Sequence, residues 1–275
     1  MEIGAVIDHL HLSSPDPEAL ARFYAAHYGF VIAADGDAWI LTAPRRRLAV
    51  SAGAANRLKY AAWRFPDRAR LVAYRERVEA RVMVDLPPCA WFDAQAFAVA
   101  DPDGNVTVFT AADAADGEAS EPVPPAMNQH FALRTPDPAR LLGFYRDQLH
   151  FTLSDRVEDS DGVLRACFLR TDALHHALAL FGAPATRFDH QSFETPTWES
   201  LKDWADHMAA KRTPIHWGVG RHGPGNDVFF MILDPDGNLA EISSEIEVCA
   251  RDRPVGVWAH EERTLNLWGR AIMRS

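Results

Sequence analysis

QHFALRTPDPARLLGFYRDQLHF (residues 129–151) and DPDGNLAEI (residues 234–242) decide the fold, because each has a counterpart earlier in the chain. Residues 8–30 read DHLHLSSPDPEALARFYAAHYGF, and residues 101–109 read DPDGNVTVF. Setting Pro15 on Pro136 places His9 on His130, and setting Asp101 on Asp234 places Val108 on Glu241. Between those anchors, Tyr60 with Trp63 and Pro66 falls on His190 with Phe193 and Pro196. The first copy thus offers His, Tyr and Val where the second offers His, His and Glu. A duplicated fold with one polar triad predicts one site per chain, in the second copy.

Each copy opens on a short strand (6–12 and 130–134). A helix follows, announced by SSPDPEA or RTPDPAR, in which Ser, Thr or Asp caps and Pro pre-sets the first turn. Leu20, Phe23, Tyr24 and His27, and likewise Leu141, Leu142, Phe144, Tyr145 and Leu149, recur at three and four residues, so both helices are amphipathic. Short strands are expected at 38–42, 48–51, 166–170 and 177–181, and second helices at 66–80 and 197–211. The DPDGN turns close the last hairpins, with φ pre-set by Pro and a positive φ supplied by Gly. The Ala-, Asp-, Glu- and Pro-rich stretch 111–126 reads as a linker. The expected division is a metal-free domain (1–115), a linker (116–127), a metal-binding catalytic domain (128–245) and a tail (246–275) packed on the latter.

A net charge of -10 over 275 residues argues against nucleic acid and membrane surfaces as partners, since both need a clustered basic face. The run Arg45-Arg46-Arg47 is too short to change that and reads as a solvated loop. Cys89, Cys167 and Cys249 are odd in number and far apart, which disfavours disulfides and thiolate zinc and fits a reducing cytoplasm. No stretch approaches the roughly 20 apolar residues of a membrane span, and the N-terminus has no signal-peptide pattern.

Strand alternation puts Leu239 and Glu241 on one face and Ala240 and Ile242 on the other, with both faces covered. Glu241 is then a buried carboxylate in need of a partner or a metal. With His130 and His190 it forms a two-histidine, one-carboxylate set that leaves three octahedral positions open on one side. Fe(II), Zn, Mn and Ni all suit those donors. The bland reading is three separate hydrogen-bonded core residues.

QHFAL with His130, HHALAL with His175 and His176, DHQSFE with His190, and GVGRHGPGN followed by DPDGNLAEI with His222 and Glu241 stand in an order that resembles the vicinal oxygen chelate superfamily. The second half resembles its type I extradiol, catechol 2,3-dioxygenase-like enzymes, and the likeness runs from Val6 to about Glu245. The resemblance implies an α+β fold of two tandem βαβββ modules per domain, each domain a partly open, barrel-like mixed sheet flanked by helices. It implies Fe(II), with Mn(II) as the other ion, and a small aromatic diol and O2 as substrates. It also implies a homo-oligomer. By the same resemblance His176 is implied to take the acid–base role and His222 to help bind substrate. His175, Asn226 and Met231 are the remaining substrate-side candidates, although His175 also reads as a strand-surface or supporting residue and Asn226 as a turn closer.

Met231 stands where many of these enzymes carry a tyrosine, so an acidic donor is missing, and Phe229, Phe230 and Met231 point to a bulkier, more apolar diol. His9 and His11 read as fillers of the vestigial copy, His207 and His216 as surface groups, and Trp198 and Trp204 as core or interface. Two other readings keep the fold: a metal-dependent glyoxalase-like isomerase, and a ligand-sequestering protein of the antibiotic-resistance kind. The isomerase commonly draws ligands from two modules, which Tyr60 and Val108 do not supply, and a sequestering protein needs no buried triad.

Overall fold

Residues 3–111 and 117–274 are described by the structure, a computed structural model. Residues 112–116 of the expected linker, and the extreme ends of the expected first domain and tail, lie outside the described residues. The first half runs β1 (Val6–Ser14), α1 (Pro17–Tyr28), β2 (Val31–Asp35), β3 (Ala38–Ala43) and β4 (Arg46–Ala52). It continues with β5 (Arg57–Arg64), α2 (Arg68–Arg75), β6 (Met83–Val84), β7 (Phe97–Ala100) and β8 (Val106–Thr110). The second half repeats this as β9 (Met127–Thr135), α3 (Pro138–Asp147), β10 (Thr152–Glu158), β11 (Leu164–Arg170) and β12 (Leu178–Gly182). There follow β13 (Arg187–Glu194), α4 (Trp198–Ala210), β14 (Trp217–Arg221), β15 (Val228–Leu233) and β16 (Leu239–Ser244), with β17 (Gly256–Ala259) and α5 (Glu262–Leu265) after the repeat. Four βαβββ units therefore make two mixed sheets. Their strand orders are β2-β3-β4-β1-β5-β8-β7-β6 and β14-β15-β16-β13-β9-β12-β11-β10-β17. Neither sheet closes into a barrel.

The PDP triplets start the helices in the same way twice. Asp16 accepts from the backbone N–H of Ala19 and Asp137 from that of Arg140, and each is followed by a proline in the first turn. Asp67 caps α2 through the N–H of Arg70, so that helix begins later than expected; it also ends earlier, at Arg75, in tightened turns. The DPDGN turns are held by more than Pro and Gly. Asp101 Oδ1 accepts the N–H groups of Asp103 and Asn105, and Asp234 Oδ1 those of Asp236 and Asn238, while Gly104 and Gly237 take φ of 84° and 76°.

One apolar core runs through both halves, from Ile3 and Leu20 to Trp204 and Ile242. Polar contacts lace the halves reciprocally. Tyr24 of the first copy donates to Asp234 of the second, and Tyr145 of the second donates to Asp101 of the first, both at 3.1 Å. Within the expected linker, Ser120 N–H bonds to Gly29 O, and Pro125 O accepts from Thr195 and Trp204, so its described part is packed. His207 is half-buried rather than a surface group, its Nε2 bonded to His27 O at 3.0 Å, whereas His216 is exposed. Past Glu245 the chain returns to the second sheet, where β17 pairs with the edge strand β10. Among the described residues no helix is long and apolar enough to cross a membrane.

Candidate metal centre

Register alone brings the triad together. On adjacent strands β9, β13 and β16, Ser192 lies opposite both His130 and Glu241, so the three form a row across the sheet. His190 sits two residues from Ser192 on the same pleated face. All three candidate ligands are buried. His130 Nε2 and His190 Nε2 are 3.1 Å apart, and each lies 3.9 Å and 3.8 Å, respectively, from a Glu241 oxygen. Donor atoms bound at about 2.0–2.2 Å to one ion sit roughly 3–4 Å from one another, so these residues fit a divalent metal. Glu241 Oε2 has no hydrogen-bond partner, while Oε1 accepts only from Ser192 at 3.2 Å. Burial, and then the nearby Asp227, push the Glu241 carboxyl well above its usual range. A cation is what such a group lacks.

The imidazoles are pre-set to offer Nε2. His190 Nδ1–H donates to Asp189 at 2.6 Å, and His130 Nδ1 is bonded to Gln129 Oε1. Burial holds both histidines below their ordinary pKa, and His130 far below, so both present neutral nitrogens. Burial opposes ionisation of Asp189, but the Arg274 guanidinium at 3.0 Å keeps it well below the usual range. Gln129 and Asp189 escaped the sequence reading. The signal was there: each precedes its ligand histidine directly, as Asp8 precedes His9.

His176 and His222 line the same cavity as His130 and His190, together with Phe168, Phe181, Trp217 and Met231. His176 is not on a strand, as HHALAL implied, but in the loop before β12. His175 does not line the cavity. It is fully buried behind His176, with its Nδ1 3.0 Å from His176 Nδ1 and its Nε2 3.1 Å from Asp155 Oδ2. One of the two facing Nδ1 atoms donates to the other; with that proton on His176 Nδ1, His176 Nε2 is left as a free base. Burial opposes the Asp155 charge, yet His175 and Arg253 bring its carboxyl down to about 2. His222 stacks on Phe229 at 3.8 Å between ring centres and commits Nδ1–H to Leu265 O at 2.5 Å; burial lowers it to about 3. Asn226 is exposed with φ 58° and closes its loop instead of entering the cavity. Phe230 faces the main core, because alternate strand residues take opposite faces, so the expected aromatic patch reduces to Phe229 and Met231.

Two further groups bear on the site. Asp227 is fully buried with both oxygens unpartnered, and burial raises it to about 8 beside Glu241. The tail supplies Leu265 and Arg274 to the cavity wall, leaving a void of about 20 Å³, room for about one water-sized sphere. In the first half the same register places Tyr60 opposite His11 and Val108 opposite Ala62. The positions of His190 and Glu241 are thus filled by Tyr60 and Val108, and His9 Nε2 meets Tyr60 Oη at 3.2 Å.

Residues 129–242 match the model of the Glyoxalase/Bleomycin resistance protein/Dioxygenase superfamily. The second half of this chain is thus similar to that superfamily. Metapyrocatechase 2 of Cupriavidus necator is 35% identical over 147 residues, which are 53% of this chain and 45% of that protein. The match thus spans under half the length of that relative. Two solved structures share the fold at 23% identity. One is the Mn(II)-bound glyoxalase from Novosphingobium aromaticivorans (TM-score 0.83, 99% of this chain and 93% of that one). The other is the anaerobic substrate complex of homoprotocatechuate 2,3-dioxygenase from Brevibacterium fuscum (TM-score 0.80, 99% and 91%).

Proposed function

We propose that this chain is an extradiol dioxygenase that opens an aromatic diol with O2 beside its vicinal hydroxyls, using Fe(II) held by His130, His190 and Glu241. Mn(II) is the other ion those donors suit. The observation that carries the reading is the convergence of the three donor atoms on one face, with His176 and His222 on the wall of the same cavity. The ion would acidify the diol hydroxyls and leave open positions for both substrates. His176, neutral with Nε2 free, takes a hydroxyl proton and returns it. His222, its Nδ1–H committed to Leu265, turns Nε2 toward a substrate oxygen. Phe168, Phe181, Trp217 and Met231 keep water out. Met231 in place of a hydroxyl donor supports a diol with an apolar substituent.

A ring enters the 20 Å³ void only if its wall moves, and Leu265 and Arg274 are the wall residues contributed by the tail. Three unpaired cysteines support a reducing, cytoplasmic setting. Val257 and Trp268, both more than half exposed on the tail, support assembly into a homo-oligomer.

The test is anaerobic loading with Fe(II), addition of a panel of catechols, and admission of air. A yellow ring-fission product with matching O2 uptake is expected. Turnover of an aldehyde–thiol adduct without O2 would replace this reading with a glyoxalase-like isomerase, and tight binding with no turnover would replace it with a sequestering protein.

A further inference from the structure

The first half has a second cavity, of about 600 Å³, in a size range typical of small-molecule sites. Cys89, Tyr60 and His11 line it, with Ile40, Pro87 and Val106 among its apolar walls. Cys89 Sγ lies 3.9 Å from His9 Nε2, and His9 Nδ1 lies 2.7 Å from Asp8 Oδ2. His9 is fully buried, with Trp91 and Phe92, from the segment just after Cys89, packed on its ring at 4.6 Å and 5.7 Å. Asp8 is flanked by Arg64 at 3.3 Å and Arg47 at 3.8 Å. The sulfur also meets the Tyr60 hydroxyl and the backbone N–H of Trp91. Burial alone would raise the thiol, but His9 brings it below its ordinary value; burial alone would lower His9, but Asp8 and Cys89 raise it. The remaining charged groups on the cavity wall are Lys59 against Asp35, Asp37 and Asp85. His11 also lines the cavity; it is nine-tenths buried, bonds Ser51 through Nε2 at 2.8 Å, and its Nδ1 is buried without a partner.

We propose that Asp8, His9 and Cys89 form a nucleophilic thiolate site that captures flat, soft electrophiles of the quinone or enone class in the metal-free half. The thiolate attacks the carbon β to the carbonyl and forms a C–S bond. The displaced π pair moves to the carbonyl oxygen, which takes the proton held on His9 Nε2, directly or through the Tyr60 hydroxyl. Electrons balance within the two reactants, so no oxidant or reductant is required. The apolar walls suit a planar ring.

The inference is independent of the metal site, and its test uses the full chain stripped of metal. p-Benzoquinone at substoichiometric concentration, followed by peptide mapping, should place one adduct carrying the full quinone mass on Cys89, with the buried Cys167 and Cys249 as internal controls. The iodoacetamide rate at Cys89 should titrate below an ordinary thiol, whose midpoint is about 8.5, making alkylation at pH 6.5 several-fold faster than that of glutathione. His9→Asn should return the midpoint to the ordinary value. An ordinary midpoint in the unmodified protein, or adducts elsewhere with Cys89 untouched, overturns the proposal, whatever the fate of the variant.

Discussion

Replacing Glu241 by glutamine should have opposite effects on the metal-free and metal-loaded protein. The carboxyl is fully buried, one oxygen has no partner, and its pKa is raised well above 4.5 by burial and by Asp227. A raised carboxyl keeps in the folded state a proton that the unfolded chain releases above about pH 4.5. Each pH unit above that point, up to the folded value, therefore costs the metal-free protein about 1.4 kcal/mol. Glutamine has the same shape and no proton to lose. In chelator, Glu241→Gln should be the more stable form, and its margin should be wider at pH 6 than at pH 5. With Fe(II) present the order should reverse, because two histidines alone hold a divalent ion poorly and the wild type gains stability by mass action. Urea unfolding at the two pH values, with and without metal, reads both effects. A pH-independent margin in chelator, or full metal occupancy in the variant, would refute the reasoning.

His190→Ala should abolish bound iron by elemental analysis, whereas His176→Ala should keep the iron and lose about 10²–10⁴ in turnover, the usual weight of a proton-transfer group. Asp189→Asn removes the charge that orients His190 and should weaken metal binding by about 10- to 100-fold in a competition titration with a chromophoric chelator. Tyr24→Phe and Tyr145→Phe should each lower unfolding free energy by about 1 kcal/mol, and by similar amounts, because each removes the equivalent bond in one copy.

The repeat was legible because its markers act locally. PDP caps a helix within four residues and DPDGN folds back on itself, so both could be aligned without knowing any distant contact. Alternation along β16 then placed Glu241 on the right face. What escaped was assembled from afar. Asp155 reaches His175 from a strand about twenty residues earlier while also receiving Arg253, Gly256 and Trp258 of the tail, and no spacing in the sequence encodes that meeting. Asn226 stayed open because a residue in a glycine-rich loop beside a candidate histidine reads as a ligand contact or a turn, and only its φ of 58° and its exposure separate the two. Met231 faces Glu241 across β15 and β16.

The crossed tyrosine bonds make the two halves each other's scaffold. An aspartate that fastens one turn takes its last donor from the opposite copy, and Tyr74 and Tyr28 reach across in the same manner to Leu149 O and Ala240 O. The first copy, with Tyr60 and Val108 at the positions of His190 and Glu241, thus carries a load-sharing surface instead of a ligand set. Excising that copy would strip a hydrophobic wall from the second and orphan buried hydroxyls and carboxylates together. An isolated C-terminal fragment should for that reason precipitate or chaperone-bind during expression, and the chain should melt in one transition rather than two.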